Sequence, residues 1–89
     1  MKHPISTERT LELDRIEDGE IVYYPYARSG WFLLKRLEET RDTWDGGPRI
    51  ECEVLKCSVG PMEGQRTEVN PGAQVVPLTE MEILGLMAL

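Results

Sequence analysis

The chain is short of the residues on which most enzymes and metal sites depend. It has one histidine, His3, and two cysteines, Cys52 and Cys57, among 89 residues. Nucleophilic catalysis needs a base within hydrogen-bond reach of the nucleophile, and a structural zinc site needs four ligands. Because His3 lies in a polar amino-terminal segment and the cysteines form one C-x4-C pair, we expect two core thiols. The sequence predicts no metal, no cofactor and no enzymatic activity.

Two other catalytic patterns are also missing. Glu51 and Glu53 share a strand face, but the apolar residues that alternate with them mark that face as solvated, unlike the desolvated setting of catalytic carboxylates. The segment GPMEGQRT contains two glycines but no lysine, so it predicts a turn and not a phosphate-binding loop.

Long apolar runs are absent as well. None reaches the ~18 to 20 residues that span a bilayer, and the segment MKHPISTERTLELD lacks the apolar region of a signal peptide. We therefore expect a cytoplasmic protein with no membrane partner and with free thiols. There is no repeat and no low-complexity tract, so one domain is the simplest interpretation.

Positive charge is scarce and concentrated. The formal net charge is −6; residues 1–20 carry six acids against three bases, and residues 50–89 carry six acids against two. This balance disfavours nonspecific attachment to nucleic acid or anionic membrane. Residues 28–49 carry five bases against four acids. The bases that could contact phosphate are Arg28, Lys35, Arg36, Arg41 and Arg49.

Short strand patterns separated by turn signals make up most of the chain. Residues 1–9 are polar and predict a flexible arm, and residues 10–89 predict one domain. Strand patterns occupy residues 19–24 and 31–38, both rich in β-branched, aromatic or leucine residues, and further short strands are expected in TLELDRI, RTEV and AQVVPL. This spacing predicts a mainly β fold: a five- to six-stranded SH3-like barrel with a short C-terminal helix.

A phase shift occurs within the predicted strand at residues 50–59. Apolar residues occupy even positions up to Val54 and odd positions from Leu55 onward. Because the pleat has a period of two, a slip of one residue requires a bulge or a sharp bend. We predict it at residues 54–56.

Helical signals replace strand signals at residues 80–89. Thr79 and Glu82 form a capping box, and Leu78 and Ile83 occupy the positions of a hydrophobic staple. The segment EMEILGLMAL is apolar on nearly every side. We expect it either to close one open end of the barrel or to pack on a second copy, and we favour the homodimer. The side chains assigned to this packing are Ile83, Leu84 and Met87.

Five of the six aromatic residues lie in YYPYARSGWF, residues 23–32. Three of them, Tyr23, Trp31 and Phe32, are expected to fill the core, because aromatic side chains bury large areas in a protein that is short of core.

The remaining aromatic residues predict a partner-binding surface. Tyr24 and Tyr26 flank a proline at the end of a strand, where side chains project from the rim. Arg28 beside them and Trp44 in a glycine-rich loop complete the composition of an interface hot spot. The predicted surface consists of Tyr24, Tyr26, Arg28 and Trp44.

The segment DGEIVYYPYARSGWFLLKRLEE, followed by a loop and a bent strand, resembles the opening of small Tudor- or KOW-type barrels. The resemblance covers roughly residues 17–78 and implies a five-stranded unit. In Tudor-type domains, aromatic side chains from two loops cage a methylated cation. The resemblance implies Tyr24, Tyr26 and Trp31 as one wall of such a cage, with Met62 as the only candidate in the later loop.

Two functional hypotheses follow. The first is a non-catalytic protein-binding module, an adaptor or inhibitor that a phage or mobile element could encode, whose partner is another protein. The second is a nucleic-acid-binding barrel of KOW type that uses Lys35, Arg36, Arg41 and Arg49 beside stacked aromatics. Strand alternation places Lys35 and Arg36 on opposite faces, which makes nucleic acid the less favoured partner.

Overall fold

A computed structural model describes residues 5–25, 30–40, 49–58, 60 and 62–89, with the backbone alone at positions 39 and 40. These residues form a mainly β fold with one short C-terminal helix, as the sequence predicts. The elements are β1 (Leu11–Glu12), a 3-10 turn (Leu13–Arg15), β2 (Ile21–Tyr24), β3 (Phe32–Thr40), β4 (Arg49–Cys57), β5 (Arg66–Val69), β6 (Gln74–Pro77) and α1 (Glu80–Met87).

The six strands of the described residues form one antiparallel sheet in the order β1-β6-β2-β3-β4-β5. Strands β2 to β5 follow one another as a meander, and β6 returns to pair with β2. The short strand β1 then pairs with β6. Within the described residues the two terminal strands of this order, β1 and β5, do not pair with each other, so the sheet is open.

Strand β4 leaves its regular register at the predicted position. Leu33 of β3 pairs with Lys56, whereas the next residue, Leu34, pairs with Val54. Leu55 is therefore an extra residue in β4, and the predicted bulge at residues 54–56 is confirmed. It allows β4 to bury apolar residues of both parities.

A second register shift, between Arg36 and Glu38 of β3, leaves Leu37 as an extra residue. The apolar pattern of β3 gives no sign of it. Leu37 is half-buried, and the bulge interrupts the regular alternation that would otherwise place Leu37 on the same strand face as Leu33.

One face of the sheet carries the main core. Its buried residues come from the 3-10 turn, the residue that follows it and strands β2 to β6, and Tyr24 and Phe32 pack against them. The main core consists of Leu13, Ile16, Val22, Leu34, Ile50, Cys52, Val54, Cys57, Val69 and Val75.

The opposite face carries a second buried group, the helix-side cluster, which α1 covers. Tyr23 and Trp31 lie in it with ring centroids 5.5 Å apart. The expected core positions of these two residues are confirmed, while Phe32 is half-buried. The helix-side cluster consists of Tyr23, Trp31, Leu33, Val76 and Leu86.

Helix α1 begins with the predicted capping box. The Glu82 backbone N–H donates to Thr79 Oγ1 at 3.3 Å, and the Thr79 N–H donates to Glu82 Oε1 at 3.0 Å. Helix α1 lies on a face of the sheet, where Leu86 is buried, and not at an open end of a barrel. The favoured alternative, packing on a second copy, stays a prediction. A sheet with apolar residues on both faces needs a second element to bury each face. The strand pattern alone does not show that the helix is the element that buries the second face.

The described part of the predicted arm contacts the domain. Ile5 packs against the helix-side cluster, and Arg9 pairs with Glu82. Residues 1–4 lie outside the described residues. Among the described residues, no helix has the length and the apolar character of a membrane span.

Candidate protein-binding surface

Helix α1 and the residue after it present an apolar surface to solvent. Met81 is 83% exposed and Leu84 is 70% exposed, and Gly85 and Ala88 are exposed beside them. These four residues follow the i, i+3, i+4, i+7 spacing of one helix face, which is the spacing of helices that pack on another surface. We call Met81, Leu84, Gly85 and Ala88 the helix outer face.

The opposite side of α1 attaches the helix to the sheet. Leu86 is only 3% exposed and belongs to the helix-side cluster, and Ile83 is half-buried one turn earlier. Because a helix turns by about 100° per residue, Leu86 points away from Leu84 and Ala88. The helix is thus apolar on two opposite sides, of which the sheet covers one.

The two ends of α1 differ in charge. Glu80 is exposed in the first turn, where a carboxylate interacts favourably with the positive end of the helix dipole. At the other end, Lys56 Nζ donates to the carbonyl oxygen of Met87 at 3.3 Å and also to that of Leu89. An acidic amino-terminal end and a lysine-capped carboxyl-terminal end therefore flank the helix outer face.

An ion pair ties the amino-terminal segment to α1. Arg9 Nη2 lies 2.5 Å from Glu82 Oε2, and both side chains are partly exposed. Hydrogen bonding from Arg9, followed by that from the Thr79 backbone N–H, lowers the pKa of Glu82 to about 2. The charged form of this carboxylate thus supports both the cap of the helix and the position of residue 9.

A groove of about 480 Å³ borders the amino-terminal end of α1. Ile21, Leu78 and Ile83 give it an apolar lining, and Glu20 and Glu80 lie at the same groove. The two residues of the predicted hydrophobic staple, Leu78 and Ile83, both line it.

Of the predicted aromatic surface, the structure describes Tyr24 alone, since Tyr26, Arg28 and Trp44 lie outside the described residues. Tyr24 is half-buried and stacks on Phe32 with centroids 6.3 Å apart.

Trp31 does not join Tyr24 in a common cage wall. It is buried on the helix-side face, whereas Tyr24 packs on the main-core face. Met62, the candidate for the other wall, also packs against the main core. Alternation along β2 and β3 separates the aromatic pair.

The predicted basic residues do not gather on one described surface. Arg36 is 8% exposed; its Nη1 donates to the Leu13 carbonyl at 2.8 Å and its Nε lies 3.0 Å from Asp18 Oδ1. Arg36 is thus committed to internal contacts and does not contribute to the surface that the nucleic-acid hypothesis requires. Lys35 is half-buried opposite Glu53, Arg49 is half-buried at the start of β4, and Arg41 lies outside the described residues.

The buried Cys52 thiol shows no sign of activation. Burial raises the pKa of Cys52 to about 11 against the opposing influence of Arg36. A thiol with a raised pKa is protonated at neutral pH and is a poor nucleophile. Among the described residues, no group of three His, Cys, Asp or Glu side chains is placed to hold a metal ion.

Sequence reasoning missed two structural features of this surface. The helix outer face was not separated from the helix side that packs on the sheet, because Leu84 and Leu86 are chemically alike in the pattern. The role of Lys56 as a cap for α1 depends on a contact 31 residues away along the chain. The bulge at Leu55, which was predicted, was the available signal that residues 55 and 56 approach the second face.

Comparisons with protein-family models, with curated proteins and with solved structures gave no match to this chain.

Proposed function

We propose that the chain is a non-catalytic protein-binding module, an adaptor or inhibitor that acts by covering part of another protein. The observation that carries the proposal is the exposure of large apolar side chains on one short helix, including Met81 at 83% and Leu84 at 70%. Contiguous apolar surface of this kind on a small acidic protein is typical of an interaction site. The aromatic surface of Tyr24, Tyr26, Arg28 and Trp44 remains a second proposed contact region.

We further propose that the sheet curves into an SH3-like barrel, which would relate it to Tudor and KOW domains. The return of β6 to β2 and the bulge at Leu55 support this topology. Residues from both ends of the strand order, Val69 of β5 and Leu13 after β1, also belong to the same main core. Methyl–methyl nuclear Overhauser contacts between Leu13 and Val69 would support closure, and a protein that folds without such contacts would contradict it.

The binding proposal is tested by affinity capture from a lysate of the organism that encodes the chain. Three baits are compared: the wild type, Leu84→Glu, and the double variant Tyr26→Ala/Trp44→Ala. Leu84→Glu should lose the bound protein, because a carboxylate on the helix outer face would be desolvated in the complex. Gln65→Glu, at an exposed position before β5, adds the same charge elsewhere and should retain it.

Each bait must first be shown to fold by circular dichroism. If the helix variant and the aromatic variant both recover the same proteins as the wild type at equal yield, both assigned surfaces are wrong. Loss with only one variant would assign the binding surface to that region.

A further inference from the structure

We infer that the helix outer face binds a second copy of this chain, with the two α1 helices packed antiparallel across a two-fold axis near Leu84 and Gly85. The inference rests on the proposed function, since it names the partner of one proposed binding face. Three features carry it: a glycine that the single chain does not need, the self-complementary shape around that glycine, and the charges at the helix ends.

The glycine at position 85 has no explanation within one chain. Its φ is not positive, and a Cβ placed on it would meet no atom within 4 Å. Glycine in the interior of a helix is nevertheless less favourable than alanine, because it loses more backbone freedom on folding. The single chain has room for a side chain at Gly85 but carries none. The close approach of a second surface explains this glycine, because a side chain there would keep the two surfaces apart.

The shape of the outer face is self-complementary. Leu84 protrudes at 70% exposure, and the gap over Gly85 lies beside it. In an antiparallel pair with its axis between these positions, each Leu84 enters the gap at the other copy's Gly85. The same symmetry brings Met81 opposite Ala88 of the second copy, so a long side chain meets a short one at each contact.

The charges select the antiparallel orientation. Glu80 lies at the amino-terminal end of α1, and the amino group of Lys56 lies at the carbonyl oxygens of the carboxyl-terminal end. Antiparallel packing places Glu80 of each copy at the Lys56 end of the other, and it also aligns the helix dipoles favourably. A parallel pair would bring like-charged ends together.

The association is measured on the purified full chain by sedimentation equilibrium in about 150 mM salt, which screens repulsion between the two acidic chains beyond ~8 Å. At about 100 µM protein we expect twice the 10.2 kDa mass. Gly85→Leu should fill the gap and raise the dissociation constant by about 10- to 100-fold, since overpacked contacts are strongly unfavourable. Gln65→Leu adds the same side chain at an exposed position outside α1 and should leave it unchanged.

Leu84→Ala provides a second variant with little risk to folding, because Leu84 is mostly exposed in the single chain. It should also weaken the dimer. A wild-type chain that stays monomeric at this concentration overturns the inference, as does a dimer that neither Gly85→Leu nor Leu84→Ala weakens. The sedimentation result and the lysate capture are separate tests. A chain that is monomeric but captures a protein through Leu84 contradicts the dimer and supports the proposed function. A chain that dimerises but captures no protein contradicts the adaptor function and supports the dimer.

Disulfide trapping tests the orientation. Two single variants are made, Met81→Cys and Ala88→Cys, and one of them carries a tag. Each variant is oxidised alone and in a mixture with the other. The wild type is oxidised in parallel to measure any cross-linking through Cys52 and Cys57. The antiparallel arrangement predicts efficient cross-linking between the two variants in the mixture and little within either variant alone. Efficient cross-linking of each variant to itself would contradict the antiparallel arrangement.

Discussion

The two faces of the sheet are completed in different ways. The main core is enclosed by side chains from the 3-10 turn and strands β2 to β6, and seven of its residues are 0% exposed. The helix-side cluster is covered by α1, whose only buried residue is Leu86. The side chains of several strands can bury one face of a sheet against each other. A single short helix that covers the other face leaves the side of the helix that points away from the sheet exposed to solvent. That far side is the surface on which the functional proposal depends.

The comparison is tested most strongly by removing one leucine from each face. Leu34→Ala should lower the free energy of unfolding by about 2 to 5 kcal/mol, because it leaves a cavity among fixed strands. Leu86→Ala should cost less, near the lower end of that range, since α1 can shift or open locally. Urea denaturation monitored by tryptophan fluorescence gives both values. Equal losses would mean that the two faces are equally well fixed.

The main core also depends on a buried charge. Arg36→Met should lower the free energy of unfolding by about 1 to 3 kcal/mol, because the Leu13 carbonyl loses its charged donor inside the protein. Arg66→Met is the matched control, since Arg66 pairs with Glu51 at 3.2 Å but its side chain is 68% exposed. Its effect should stay within roughly 1 kcal/mol. Similar effects of the two substitutions in urea denaturation would refute the structural role of Arg36.

These contrasts also show what the sequence could predict. Alternation along β2 places Ile21 and Tyr23 on one face and Val22 and Tyr24 on the other, as the strand pattern of residues 19–24 requires, and the phase shift located the bulge at Leu55. Both are local consequences of the two-residue pleat. The capping box could also be predicted from local sequence, because Thr79 and Glu82 are only three residues apart along the chain.

The features that sequence could not predict depend on distant contacts. Arg36 was assigned to the surface because a cation in a strand is usually solvated, whereas here carbonyls from residues 13 and 16 converge on its guanidinium. The placement of α1 was missed because an evenly apolar helix carries no sign of which side is covered. Strand pairing and helix docking bring together residues that are far apart along the chain, and no fixed spacing in the sequence marks such pairs.

A smaller effect is expected where the helix faces solvent. Gly85→Ala should raise the free energy of unfolding by about 0.5 to 1 kcal/mol when measured on dilute, monomeric protein, because alanine restricts the unfolded chain and nothing obstructs its Cβ. Gly64→Ala is the matched control in the turn before β5. Its φ of 86° disfavours a side chain, so that variant should be destabilised. Destabilisation by Gly85→Ala would show that the helix needs this glycine within one chain.

The smallest expected effect is a pH dependence confined to the helix side of the molecule. Arg9 and the Thr79 N–H lower the pKa of Glu82 from an ordinary value of 4.5 to about 2. Because the folded state holds the charged form, this carboxylate contributes its full stabilisation above about pH 4.5, and the contribution is lost as the pH falls towards about 2. The effect is modest because solvent screens both partners. The difference in urea midpoint between the wild type and Glu82→Gln should therefore shrink over that interval, while Glu63→Gln, in the exposed turn before β5, should show no comparable change.

Amide hydrogen exchange at the two pH limits should locate the loss in α1 and not in the main core, since the Arg9–Glu82 pair joins the amino-terminal segment to the helix alone. A constant difference between the wild type and Glu82→Gln from pH 7 to 2 would show that the Arg9 pair does not form in solution.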